Sequence, residues 1–168
     1  GYTEASVIDD APLVIRNEGE QPYIPVNYDG AFHGKVPLRI ALANSYNIPA
    51  VKLAQNLGVS SIVDQGRSMG ITSWKESRNY GLSITLGGAD VTMLDMATVY
   101  GTLANSGKRV SLDPLVEITD YEGKTLYKRK TQEFEAVSPG VAYIMSQILS
   151  DNIARSRAFG TNSIISIP

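Results

Sequence analysis

Two prolines, Pro37 and Pro49, bracket the run Leu38-Arg39-Ile40-Ala41-Leu42-Ala43-Asn44-Ser45-Tyr46-Asn47-Ile48, and they constrain this chain more than anything else in it. Pro37 suits the first position of a helix, where no N–H is needed, and Leu38, Ala41 and Leu42 then share one inward face at i, i+3 and i+4. Pro49 starts a second helix with Ala50, Val51, Ala54 and Leu57 on one face and Gly58 to stop it. Because the residue before a proline is pushed out of the α region, Tyr46 to Ile48 is predicted to be a tight non-helical elbow. Ser45 and Asn47 project from that corner. A hydroxyl and a carboxamide on a rigid elbow suit a polar relay in a cleft. The plainer reading is that Asn47 caps the second helix and Ser45 ends the first.

The remaining elements are placed around this corner. Residues 1–34 carry Pro12, Pro22 and Pro25 between polar runs and read as an extended loop region. Residues 35–110 read as a helical core. In it Ser60 or Ser61 can cap a helix that Gly70 ends, and Thr92-Met93-Leu94-Asp95 is close to a capping box that opens a helix closed by Ser106-Gly107. Residues 111–135 read as a hairpin, Leu115 to Thr119 and Lys124 to Lys128 flanking the turn signal Asp120-Tyr121-Glu122-Gly123. Residues 136–168 hold a helix opened by Ser138-Pro139, striped by Val141, Ile144, Met145, Ile148 and Leu149, and a tail. The predicted fold class is mainly α with a small β-hairpin.

At 168 residues and 43% hydrophobic, the chain can bury one ordinary core, so one domain or most of one is expected. A net charge of -2 gives no electrostatic reason to propose nucleic acid or an anionic membrane surface as partner. Zero cysteines exclude disulfides, thiolate–zinc sites and cysteine nucleophiles together. With His33 the only histidine, no Ser-His-Asp triad can be built, and His33 reads as a loop residue. Asp9-Asp10 and Glu133/Glu135 lie in polar runs and read as solvated faces; Met93, Met96 and Met145 read as core. No cofactor and no metal are expected. Gly123-Lys124-Thr125 fails as a phosphate loop, since the glycine required five positions earlier is Ile118.

Ser-x-Asn occurs three times, as Ser45-Tyr46-Asn47, Ser77-Arg78-Asn79 and Ser150-Asp151-Asn152, so context must choose among them. The third trails an amphipathic helix and reads as its terminus; the second lies among charges and reads as solvated loop. The first stands in a longer pattern with Tyr28-Asp29-Gly30-Ala31-Phe32-His33-Gly34 and Leu38-Arg39, followed in order by Tyr80-Gly81-Leu82-Ser83-Ile84-Thr85-Leu86-Gly87-Gly88-Ala89-Asp90-Val91 and Tyr100-Gly101-Thr102-Leu103-Ala104-Asn105-Ser106-Gly107. Along nearly its whole length the chain resembles the transpeptidase domain of the penicillin-binding proteins, specifically their class A, bifunctional branch. The resemblance implies the helical subdomain of the transpeptidase and serine β-lactamase-like fold, α+β in the complete protein.

It also implies serine acyl transfer through three motifs: Ser-x-x-Lys with the nucleophile, Ser-x-Asn, and Lys-Thr-Gly. Of the three, this chain contains only Ser-x-Asn. The residues three before each lysine are Phe32, Pro49, Thr72, Asn105, Tyr121, Thr125 and Tyr127, none of them serine, and Lys124-Thr125-Leu126 lacks the glycine. The family order puts Ser-x-x-Lys shortly before Gly1 and Lys-Thr-Gly shortly after Pro168, with Phe159 to Ser163 and Ile167-Pro168 similar to the approach to that last motif. The chain is therefore expected to be an internal piece of one domain, inactive alone.

Carried over from the family, Ser45 would pass a proton between the nucleophile's lysine and an amine, and Asn47 would hydrogen-bond the acyl donor's backbone. Tyr46 would wall the cleft or anchor the elbow in the core, and Thr85, Gly87 and Gly88 would either border the site or form a plain tight turn. The implied substrates are peptidoglycan stem peptides, with β-lactams as inhibitors. The implied location is the extracytoplasmic face of the bacterial membrane, held by an anchor outside this chain and accompanied by a glycosyltransferase; the piece itself would be soluble. The alternatives are a D,D-carboxypeptidase or β-lactamase-like hydrolase, and a non-catalytic scaffold or binding module. Apolar helix faces left uncovered in such a piece favour self-association.

Overall fold

The computed structural model describes residues 1–16, 19 and 21–166. Its order is β1 (Val7–Asp10), β2 (Gly34–Pro37), α1 (Leu38–Ala43), α2 (Asn47–Leu57), α3 (Val59–Ser68), 3-10 turns at Ser77–Asn79 and Leu82–Leu86, α4 (Met93–Ala104), β3 (Lys108–Val110), β4 (Glu117–Thr119), β5 (Thr125–Lys128), β6 (Glu133–Glu135), α5 (Pro139–Ser150) and α6 (Ser156–Phe159). The fold is helix-rich α+β. Ile167 and Pro168, which resemble the approach to a further motif, lie outside the described residues.

The amino-terminal region is more than extended loop. β1 pairs antiparallel with β2, Val7 opposite Pro37 and Asp10 opposite Gly34. Ile8 faces Val36 in this register and packs on the buried cluster that Val36 forms with Ala41 and Tyr46. The burial of Val36 and partial burial of Ile8, with Pro12, Pro22 and Pro25 all outside β1, explain why a segment rich in turn formers still contributes a strand.

The elbow is a residue or two earlier than Pro49 suggested. It comprises Asn44, Ser45 and Tyr46, and Asn47 is already the first residue of α2. Pro49 therefore occupies the third position of the helix, where an N–H has no intrahelical acceptor, so proline is tolerated there. The reversal falls on Ser45, whose φ is 56°. The N–H of Ser45 donates to Leu42 O at 3.0 Å and that of Tyr46 to Ala41 O at 3.0 Å, the paired bonds of a Schellman motif.

Neither Ser60 nor Ser61 caps α3. Only Gly58 separates α2 from α3, and with φ 82° it serves as the N-cap residue itself, without a side-chain bond. The expected caps of α4 and α5 are present: the Thr92 hydroxyl accepts from Asp95 N–H at 3.0 Å, and Ser138 accepts from Val141 N–H at 3.4 Å. The second half of the α4 box is missing because Asp95 turns elsewhere. Its carboxylate accepts from the Thr72 hydroxyl at 2.8 Å and the Ser73 N–H at 3.1 Å, tying α4 to the segment after α3. Burial alone would raise the Asp95 pKa, but these donors outweigh it and hold the group far below the ordinary carboxylate range.

Met93, read as core, is 89% exposed, because α4 buries the face of Asp95 and Thr102 instead. Met96 and Met145 are half-buried. β4 and β5 form the expected hairpin, and β3 pairs antiparallel with β6 at its base, so that the hairpin stands on a second strand pair. Gly107 ends the turn before β3 where a Cβ would lie 2.1 Å from Val137 O, a close approach that only glycine allows. Ser77-Arg78-Asn79 is a 3-10 turn rather than open loop, and Ser150 and Asp151 are the end of α5.

Side chains lock α1 to the carboxy-terminal helices. Arg39 donates through Nη2 to Asp151 Oδ2 at 2.7 Å and through Nη1 to Glu4 Oε2 at 2.6 Å. The Ala154 N–H and the Arg39 guanidinium together hold the Asp151 carboxyl below its usual pKa. Asn44, buried, donates to Ile40 O at 2.9 Å and Ala154 O at 2.8 Å while accepting from Ala158 N–H at 3.0 Å. The residue next to Ser45 is thus fixed from α6.

Candidate active site

The elbow opens on a cavity of about 770 Å³ between α1, α2, α5 and the Leu82–Leu86 turn. Ser45, Tyr46, Asn47 and Thr85 all line it; Leu42, Leu53, Ile144 and Met145 belong to its apolar walls. Four residues singled out from the sequence, two of them forty positions apart, are therefore brought to one concavity.

Each of the four is presented differently. Ser45 is exposed at the left-handed position of the Schellman motif, a conformation that costs a non-glycine residue about 1–2 kcal/mol. Its hydroxyl makes no hydrogen bond among the described residues. Asn47 is half-buried, and its Nδ2 donates to Val26 O at 2.8 Å. This carboxamide does not cap α2. Asn27 does so instead, its Oδ1 accepting from Asn47 N–H at 2.9 Å and Ile48 N–H at 3.2 Å. Thr85 donates to Leu82 O at 2.9 Å, and Gly87, at φ 86°, ends its turn; a Cβ on Gly88 would meet Ser83 O at 2.8 Å. The glycines thus serve the turn, while Thr85 also borders the cavity.

Tyr46 is both wall and anchor. Only 6% of it is exposed, its hydroxyl is buried without a hydrogen-bond partner among the described residues, and it still lines the cavity. His33 stacks on its ring with centroids 3.9 Å apart.

His33 and Asp10 correct the sequence reading. Asp10 is fully buried rather than solvated, and it accepts from both Asn27 Nδ2 and the His33 backbone while its Oδ2 lies 2.6 Å from His33 Nδ1. His33, in a loop as expected, is far from a bland loop residue: its Nε2 also lies 3.2 Å from Asp29 Oδ2. A lone acid in a polar run gives no sign of burial, because its partners come from residues 27 and 33. The one signal in the sequence was the Tyr28–Gly34 block that accompanies the Ser-x-Asn pattern. Among the described residues, no group of three or more His, Cys, Asp or Glu side chains is arranged to hold a metal.

A helix-rich α+β body that presents a Ser-x-Asn elbow beside an apolar cavity has the architecture of a penicillin-binding-protein domain. The chain belongs to the penicillin binding protein transpeptidase domain family, whose model matches residues 2–164. Its relatives include penicillin-binding protein 1B of Vibrio cholerae, 30% identical over 152 residues that cover 90% of this chain and 19% of that protein. Penicillin-binding protein 1A of Clostridium novyi is 31% identical over 163 residues, covering 93% of this chain and 19% of that protein. The chain thus spans about a fifth of these class A relatives. Among solved structures, penicillin-binding protein 1A from Haemophilus influenzae superposes with a TM-score of 0.79 at 22% identity, over 92% of this chain and 27% of that one. The imipenem acyl-enzyme complex of penicillin-binding protein A from M. tuberculosis gives 0.73 at 23% identity, over 94% and 40%. No helix among the described residues is long and apolar enough to cross a membrane.

Proposed function

We propose that these residues are the Ser-x-Asn part of a peptidoglycan D,D-transpeptidase, in which a serine acyl-enzyme formed from a stem peptide ending in D-Ala-D-Ala is resolved by a neighbouring stem-peptide amine. The convergence of Ser45, Tyr46, Asn47 and Thr85 on one cavity, in a chain of the transpeptidase family, carries this reading. Ser45 relays a proton: its exposed hydroxyl donates and accepts, so it hands a proton on without becoming charged. Asn47 recognises the acyl donor, one amide pairing with another, since Val26 occupies only its NH2 side. Tyr46 and Thr85 bound the substrate. β-Lactams occupy the same site, a reading supported by the imipenem and penicillin G acyl-enzymes among the structural neighbours. The complete protein works at the extracytoplasmic membrane face.

The nucleophile and the Lys-Thr-Gly motif are supplied by sequence other than these 168 residues, which contain no Ser-x-x-Lys. Residues 1–168 alone therefore form no acyl-enzyme, because Ser45 has neither a lysine at the required offset nor a histidine to activate it. With its apolar wall uncovered, the isolated chain associates with a second copy of itself.

Intact-mass spectrometry after incubation with a labelled penicillin tests the assignment. The complete domain should gain one adduct and residues 1–168 none. A stoichiometric adduct on the short chain, or undiminished acylation of complete-domain Ser45→Ala and Asn47→Ala, overturns the roles assigned to Ser45 and Asn47.

A further inference from the structure

We infer that Asn27, clamped by Asp10, is a positioning residue for the Ser-x-Asn elbow. The inference rests on the proposed roles of Ser45 and Asn47 and goes beyond them to what holds those side chains in place.

α2 has no cap of its own. Tyr46 stands at its N-cap position and offers no acceptor to the first turn, so the orphan N–H groups of Asn47 and Ile48 go to Asn27 Oδ1, at 2.9 and 3.2 Å. This cap comes from 20 residues upstream and bonds the backbone of Asn47 itself. Its orientation is dictated, because Asn27 Nδ2 faces Asp10 Oδ1 at 2.9 Å, Asp10 Oδ2 at 2.8 Å and Ala31 O at 2.8 Å. A flipped carboxamide would set its oxygen against three acceptors and its NH2 against two donors.

Asp10 makes the clamp stiff. A fully buried carboxylate must be satisfied by neighbours, and in this fold they are Asn27 and the backbone and ring of His33. His33 in turn lies on Tyr46, and Val26, next to Asn27, accepts from the Asn47 side chain. Residues 26–33 thus hold Tyr46 and Asn47 by backbone, ring and carboxamide separately. Asn27 does not border the cavity, so it acts through the elbow and not on substrate. Loss of the clamp would let the start of α2 shift, and a misplacement of about 1 Å costs about 10²-fold in a reaction that depends on orientation.

The test uses the complete domain and a fluorescent penicillin, separating the limiting acylation rate from the binding step, with adduct stoichiometry by intact mass giving the active fraction. Asn27→Ala removes cap and clamp; Asn27→Asp keeps an acceptor for α2 but sets a carboxylate against Asp10. Both should lower the limiting rate of the active fraction roughly 10- to 100-fold. Introduced into Ser45→Ala/Asn47→Ala, Asn27→Ala should cost much less, since positioned groups that are gone cannot be misplaced. An unchanged limiting rate with a smaller active fraction, or full multiplicative loss in the Ser45→Ala/Asn47→Ala background, would make Asn27 merely structural and overturn the inference. Normal acylation by Ser45→Ala and Asn47→Ala would instead sink the site assignment, an outcome readable separately from the first two.

Discussion

Asn27 Oδ1 sits 2.9 Å from the backbone N–H of Asn47, so the second helix of the Ser-x-Asn corner begins on a side chain from before the first helix. This long-range cap joins the amino-terminal segment to the elbow, and the stability of the corner depends on groups that look solvated in the sequence.

Asp10 and Asp9 make the sharpest contrast. Asp10→Ala leaves Asn27 Nδ2 and His33 short of an acceptor in a buried place and should destabilise the protein by about 2–4 kcal/mol. Asp9 is exposed, and Asp9→Ala should stay within about 0.5 kcal/mol. Urea denaturation of both variants, compared at equal m-value, measures the difference; equal effects would contradict the buried role of Asp10.

What was legible in the sequence was local. Thr92 and Ser138 cap the helices that follow them because the cap hydroxyl and its N–H donor lie three residues apart, and the hairpin is legible because its turn is contiguous with both strands. The start of α2 is not legible because its cap is not local: with Tyr46 at the N-cap, Asn27 explains how the helix can begin two residues before Pro49. β1 is not legible, because its four residues gain strand character only from a partner beginning at Gly34. The exposure of Met93 is not legible because period alone does not say which face of α4 is covered; the Thr72 and Ser73 bonds to Asp95 decide it.

Ser45 should show a trade-off between stability and activity. Ser45→Gly relieves the left-handed strain at φ 56° and should stabilise the chain by about 0.5–1 kcal/mol, whereas Ser45→Ala keeps the strain and should not. In the complete domain both remove the hydroxyl and should slow acylation or its resolution by about 10²–10⁴-fold. Thermal unfolding read beside acylation kinetics checks this, and a Ser45→Gly variant no more stable than Ser45→Ala would refute the strain argument.

Acid should weaken the fold through Asp95 and Asp151. Both carboxyls are held below their ordinary pKa in the folded state, so the unfolded chain binds more protons as pH falls through about 4. Their contribution is present above the unfolded pKa and is lost as pH drops toward the folded one. Asp95→Asn, which cannot titrate, should show a shallower fall in stability between about pH 5 and 3. Denaturant titrations at stepped pH give the slope; parallel curves for wild type and variant would remove Asp95 from acid unfolding.

The proposed self-association of residues 1–168 rests on the apolar wall of the cavity. Val141 and Ile144 on α5 are 49% and 38% exposed, and they meet Leu42 and Leu53 of α1 and α2 around one concavity. A continuous apolar surface of this kind drives association, because covering it removes hydrocarbon from water. Sedimentation equilibrium of residues 1–168 should therefore show concentration-dependent self-association. Val141→Lys with Ile144→Lys should shift the chain to monomer with unchanged helical circular dichroism, since neither side chain belongs to the buried core. A wild-type chain that remains monomeric across the concentration range, or a double variant that associates as before, would place the contact elsewhere or remove it.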